Sequence, residues 1–64
     1  MTPEEIDAAL NSVSSSENIC GTLRELLDIM AQNPELYAIQ IARACGYLHD
    51  MNCPPHTLCN GGES

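Results

Sequence analysis

The sequence has no tryptophan, no phenylalanine and no lysine, and only two tyrosines. Without large aromatics, a core must be built from Leu, Ile, Met, Val, Ala and Cys. That set suits helices better than a sheet, which draws on aromatic and β-branched residues. Arg24 and Arg43 are the only permanent cations against nine acids, so the formal charge is −7. Such a surface repels nucleic acid and anionic lipid. It keeps a small protein soluble and favours a basic protein surface as partner. No apolar run approaches the roughly 20 residues of a membrane span, so no membrane partner is expected. The opening Met1-Thr2-Pro3-Glu4-Glu5 puts acids where a secretory leader carries cations. A cytoplasmic setting with reduced thiols is therefore expected.

Length is also scarce. Sixty-four residues support one thin core, and chains this short commonly add disulfides, a metal or a second copy. The pattern predicts a single all-α domain over residues 1–52, with three helices at about 3–12, 17–32 and 34–52. Residues 53–64 are expected to form an irregular tail rich in Cys, Pro and Gly. Thr2, Pro3 and Glu5 make a capping box that opens the first helix, and Ile6, Ala9, Leu10 and Val13 share one face. Ser14 and Glu17 repeat the capping-box pattern before a second helix whose apolar arc holds Ile19, Cys20, Leu23, Leu26, Leu27 and Met30. Arg24 and Asp28, one turn apart, are expected to pair. Asn33-Pro34 breaks the chain and restarts it, with Asn33 as cap and Pro34 in the first turn. Pro54-Pro55 stops the third helix.

That third helix carries more apolar surface than a hairpin consumes. Tyr37, Ile41, Ala44, Leu48 and Met51 form one seam. Gln40, Arg43, Tyr47 and Asp50 form a polar strip. Ala38, Ala42 and Gly46, spaced by four, leave a groove of small residues that admits another helix. Either the first helix fills it or a second copy does, and the expectation is a homodimer. The candidate dimer or partner interface is Ala38, Ile39, Ala42, Arg43, Gly46 and Tyr47, where Arg43 lacks an acid on its own helix.

Cys45, His49, Cys53, His56 and Cys59 bear donor atoms for a soft metal. His49, Cys53, His56 and Cys59 make a candidate zinc site, although their spacing fits no common zinc motif. Disulfides Cys53–Cys59 and Cys20–Cys45 are sterically conceivable. The plainer expectation is free thiols, with Cys20 and Cys45 as small buried hydrophobes and no cofactor. Catalysis is not expected: Cys53 and His56 stand in an acidic setting that does not lower a thiol pKa, and no phosphate loop is present.

Ile41-Ala42-Arg43-Ala44-Cys45-Gly46-Tyr47 resembles the first helix and turn of the helix-turn-helix DNA-binding family, in which an alanine and a glycine four residues later mark helix and turn. The resemblance implies a helix ending at Gly46 and a recognition helix after it. That stretch holds Leu48 where the family has a capping hydroxyl, meets Pro54-Pro55, and has no Lys or Arg for phosphates.

These features predict a small acidic, non-enzymatic regulator or inhibitor that binds protein through helix contacts. In size and acidity it is similar to small phage or bacterial accessory proteins that antagonise a host factor. The alternatives are a zinc-binding helical module and a degenerate helix-turn-helix transcription regulator.

Overall fold

The computed structural model describes residues 1–60. Among them there is no strand. The elements are α1 (Pro3–Ser12), a 3₁₀ turn (Val13–Ser15), α2 (Ile19–Met30), α3 (Ala38–Asp50) and a short α4 (Thr57–Asn60). The all-α expectation holds, with one helix more than expected. No described helix is long and apolar enough to cross a membrane.

α1 starts as its sequence dictates. The Thr2 hydroxyl accepts from the Glu5 amide at 3.1 Å, and the Glu5 carboxylate accepts from the Thr2 amide at 3.0 Å. Glu4 and Glu5 lie in the first turn, where negative charge complements the helix dipole. α2 begins later than expected. The Ser14–Glu17 box does not form, because the chain first closes the 3₁₀ turn at Val13–Ser15. Asn18 is the cap instead, its Oδ1 accepting from the Gly21 amide at 3.0 Å. A Cβ at position 21 would collide with the Asn18 amide group, so the glycine is what lets this cap fold over the first turn. The helix ends at Met30 rather than Gln32.

α3 also starts late, at Ala38 instead of Pro34. Residues 33–37 close a separate turn, in which the Asn33 carbonyl accepts from the amides of Leu36 (3.1 Å) and Tyr37 (3.3 Å). Tyr37 leaves helical geometry at φ −106°, ψ 24°. Its ring is buried and its hydroxyl donates to the Met1 carbonyl. That long-range tie overrides the local Asn33-Pro34 start signal. At the other end the helix runs through Gly46 without a break and stops in a Schellman motif. Asn52 adopts φ 58°, the Asn52 amide donates to the His49 carbonyl (3.2 Å), and the Cys53 amide donates to the Leu48 carbonyl (2.9 Å). Asparagine is second only to glycine in tolerating this left-handed position. The motif turns the chain back so that Cys53 faces α2.

The core consists of Ile6, Leu10, Val13, Leu23, Leu26, Leu27, Met30, Tyr37, Ala44 and Leu48. Each fully buried Leu or Ile contributes about 1.5–3 kcal/mol. The α3 seam is rotated from its expected centre. Ile41 is only half-buried, Met51 is 42% exposed, and Gln40, expected on the polar strip, is 7% exposed. α1 packs on that side and supplies the compensating partner, as Gln40 Nε2 donates to Asp7 Oδ2 at 3.2 Å.

The cysteines are neither free nor paired as conceived from spacing. Cys20 joins Cys53 and Cys45 joins Cys59, each with a Cα separation of 5.6 Å. The bridges span 33 and 14 residues. Closing loops of those lengths restricts the unfolded chain by about 3.7 and about 3 kcal/mol in the chain-entropy account. The tail thus belongs to the domain, and Thr57–Asn60 is helical where irregular chain was expected. The Gly61-Gly62 end lies outside the described residues.

Leu27→Ala should lower stability by about 2–5 kcal/mol, while Met51→Ala should change it by less than about 0.5 kcal/mol. Urea titrations of the oxidised protein followed by circular dichroism check both.

Candidate functional site

The candidate residues fall in two parts of the structure: the outer face of α3 and the attachment of the C-terminal segment. On α3, Ala38, Ile39, Ala42 and Gly46 are exposed, and Ile39 is 71% exposed. Leu36, at 50%, extends the strip beyond the start of the helix. α1 does not fill the small-residue groove, since a Cβ built on Gly46 meets nothing within 4 Å. Of the six candidate interface residues, the other two are engaged within the molecule, although Arg43 stays exposed. Tyr47 is half-buried against the core. Arg43 finds its missing acid on α1, with Nη1 donating to Asp7 Oδ1 at 2.9 Å. Asp7 therefore holds both Gln40 and Arg43. From Leu36 to His49 the sequence contains no acid, so the open strip is the stretch of chain least marked by the protein's negative charge.

The attachment of the tail starts from α2. Arg24 and Asp28 do not pair with each other. Arg24 Nη1 donates to the carbonyls of Pro54 (3.1 Å) and Pro55 (3.2 Å), and Asp28 Oδ1 lies 2.7 Å from His56 Nε2. Proline offers no amide, so its carbonyl is the group left to bind, and the two N–H bonds of a single guanidinium nitrogen can serve two successive carbonyls. The His56 side chain is 8% exposed. Its Nδ1 accepts from the Leu58 amide at 3.1 Å. The ring proton therefore belongs on Nε2, where it is donated to Asp28. Thr57 Oγ1 stands 3.4 Å from the same Nδ1. The order hydroxyl, imidazole, carboxylate is that of a nucleophilic relay. Here the Nδ1 lone pair is already engaged by the Leu58 amide, so the imidazole serves as the cap of α4.

The candidate zinc site is not assembled. Cys53 and Cys59 are spent in different disulfides and present no thiolate, and His56 is bound to Asp28. Among the described residues no group of three or more His, Cys, Asp or Glu side chains could hold a metal ion. The helix-turn-helix reading is corrected as well, because α3 continues from Ala38 to Asp50 with no turn at Gly46. An open pocket of about 310 Å³ does lie beside the tail, lined by Cys45, Leu48, His49, Cys53, Pro55 and Cys59.

Sequence reasoning found the α3 strip through its spacing of four. It missed the roles of Arg24, Asp28 and His56, because these contacts cross about 30 residues and leave no periodic trace. No known family model, curated protein or solved structure matches this chain.

His56→Ala removes the α4 cap, an interaction worth about 1 kcal/mol. Exchange of the Leu58 amide should then accelerate roughly five- to tenfold while α1 amides are unaffected. Residue-resolved hydrogen–deuterium exchange provides the check.

Proposed function

We propose that this protein is a small acidic binding module, without enzymatic activity, that regulates or inhibits another protein by docking through the exposed face of α3. The observation that carries the reading is Ile39, 71% exposed on a helix whose small residues Ala38, Ala42 and Gly46 leave an open groove beside it. Isolated apolar residues on a surface are ordinary. An apolar ridge alongside a shallow groove, on a stretch without acids, is a shape that accepts a helix.

The first occupant is a second copy. Two molecules of charge −7 repel each other over most of their surfaces, and the acid-free α3 strip is where that repulsion is least. Packed about a two-fold axis, Ile39 of each copy would enter the Ala38–Ala42–Gly46 groove of the other. In the monomer the same strip would receive an apolar helix bearing basic flanks, which the surrounding acids attract, in competition with the second copy.

The compartment that suits the protein is oxidising. The cytoplasmic expectation rested on the acidic opening and the lack of a long apolar run and carried reduced thiols with it, and two disulfides carry the opposite implication. A zinc-binding role loses its thiolates, and a groove-reading role loses its turn. Neither is favoured by a particular observation.

Gly46→Leu is the test. In the monomer the new side chain meets open space and replaces a helix-interior glycine, which should add up to about 1 kcal/mol of stability. In the dimer it fills the groove. The expected outcome in analytical ultracentrifugation is a concentration-dependent dimer for the wild type and a more heat-stable monomer for the variant. A wild type that stays monomeric at high concentration, or a variant that dimerises equally well, contradicts the arrangement.

A further inference from the structure

The pocket beside the tail has an unusual wall. Three of its six lining residues are disulfide cysteines, Cys45, Cys53 and Cys59. Both ends of the Cys45–Cys59 bridge line it, but only one end of Cys20–Cys53 does. Among the described residues no carboxylate lines it, so they set up less repulsion toward an incoming thiolate there than over most of this acidic surface.

We propose that this pocket is a thiol-exchange site, at which a low-molecular-weight thiol opens Cys45–Cys59 and leaves Cys20–Cys53 closed. The thiolate of the incoming molecule forms a bond to one sulfur of the bridge. The sulfur–sulfur bond breaks, and the electron pair leaves on the other cysteine, which takes a proton from water. A second thiolate then attacks the external sulfur of the mixed disulfide. This releases the oxidised small molecule and the second cysteine thiolate. Two electrons have passed from two thiols to the bridge, and both cysteines end reduced.

The two bridges differ in what depends on them. α4 has only four residues, far below the length at which a helix persists alone. It is held by Cys59, by the His56 cap and by the packing of Leu58. The chain just before it is held separately, by Cys53 to Cys20 and by Arg24 on the two proline carbonyls. Opening Cys45–Cys59 therefore releases residues 57–60 while α1, α2 and α3 stay assembled. Leu48, 2% exposed and part of the pocket wall, would then be uncovered together with Leu58. The site thus acts as a latch: a reducing environment adds a second apolar face to the molecule. This inference is independent of the docking role assigned to α3.

The test is graded reduction of the native protein by 2-mercaptoethanol at neutral pH, with iodoacetamide quenching and peptide mass spectrometry. Cys45 and Cys59 should become alkylated at least tenfold faster than Cys20 and Cys53. The one-bridge species should keep most of its helical circular dichroism and bind a hydrophobic dye more strongly than the oxidised protein. The Cys45→Ser/Cys59→Ser double variant should reproduce that species without reductant. Simultaneous opening of both bridges, earlier opening of Cys20–Cys53, or a one-bridge species without increased dye binding would overturn the proposal. So would a double variant that loses its helices.

Discussion

The segment from Cys53 to Cys59 is fastened to two helices at once, and the small fold depends on that fastening. Cys53 reaches Cys20 at the start of α2, and Cys59 reaches Cys45 in the middle of α3. Between these covalent points, α2 contributes Arg24 to the proline carbonyls and Asp28 to His56. A chain of 64 residues without Trp or Phe has too little apolar area to hold three helices comfortably. The cross-links narrow the unfolded ensemble that this thin core must compete with. They also convert what would have been a frayed end into a wall of the domain.

The remaining polar contacts follow the same economy. Asp7 serves both Gln40 and Arg43, so α1 is tied to α3 by one carboxylate in addition to the contacts of Ile6 and Leu10. Tyr37 closes the far side of the molecule by reaching the carbonyl of Met1. Among the described residues, no buried side-chain nitrogen or oxygen lacks a partner, which is what a core with little energy to spare requires. With its described interior satisfied and the segment Cys53–Cys59 fastened, the molecule leaves the outer face of α3 as a clear surplus of apolar surface.

What the sequence revealed was whatever is local and periodic. The Thr2–Glu5 capping box, the apolar faces of α1 and α2, and the run of α3 through Gly46 to Asp50 all follow from spacings of three and four. So does the groove of Ala38, Ala42 and Gly46. Local signals failed where a distant contact outweighed them. Asn33-Pro34 is a sound helix start, but the buried Tyr37 moved that start to Ala38. Arg24 and Asp28 are suitably placed for an intrahelical pair worth a few tenths of a kcal/mol, and two carbonyls and an imidazole from the tail offered each of them more. The cysteine pairing was not legible at all. Four cysteines permit three connectivities, and sequence does not choose among them. The chosen one also overturned the zinc set, since oxidation and thiolate ligation exclude each other. The candidate site is thus half legible: its α3 strip was visible in the spacing, but the half-burial of Tyr47 and the pairing of Arg43 with Asp7 on α1 were not.

The order of the bridges along the chain has a topological outcome. Cys20–Cys53 and Cys45–Cys59 overlap instead of lying side by side or one within the other. Every peptide bond between Cys20 and Cys59 therefore lies inside at least one covalent ring, and those between Cys45 and Cys53 lie inside both. A protease that cuts once anywhere in that span cannot divide the molecule. The nicked protein keeps its mass, apart from one added water, and its two pieces remain joined through sulfur. α3, whose outer face carries the proposed docking strip, lies within that span, so a single cut there is an injury the molecule can survive.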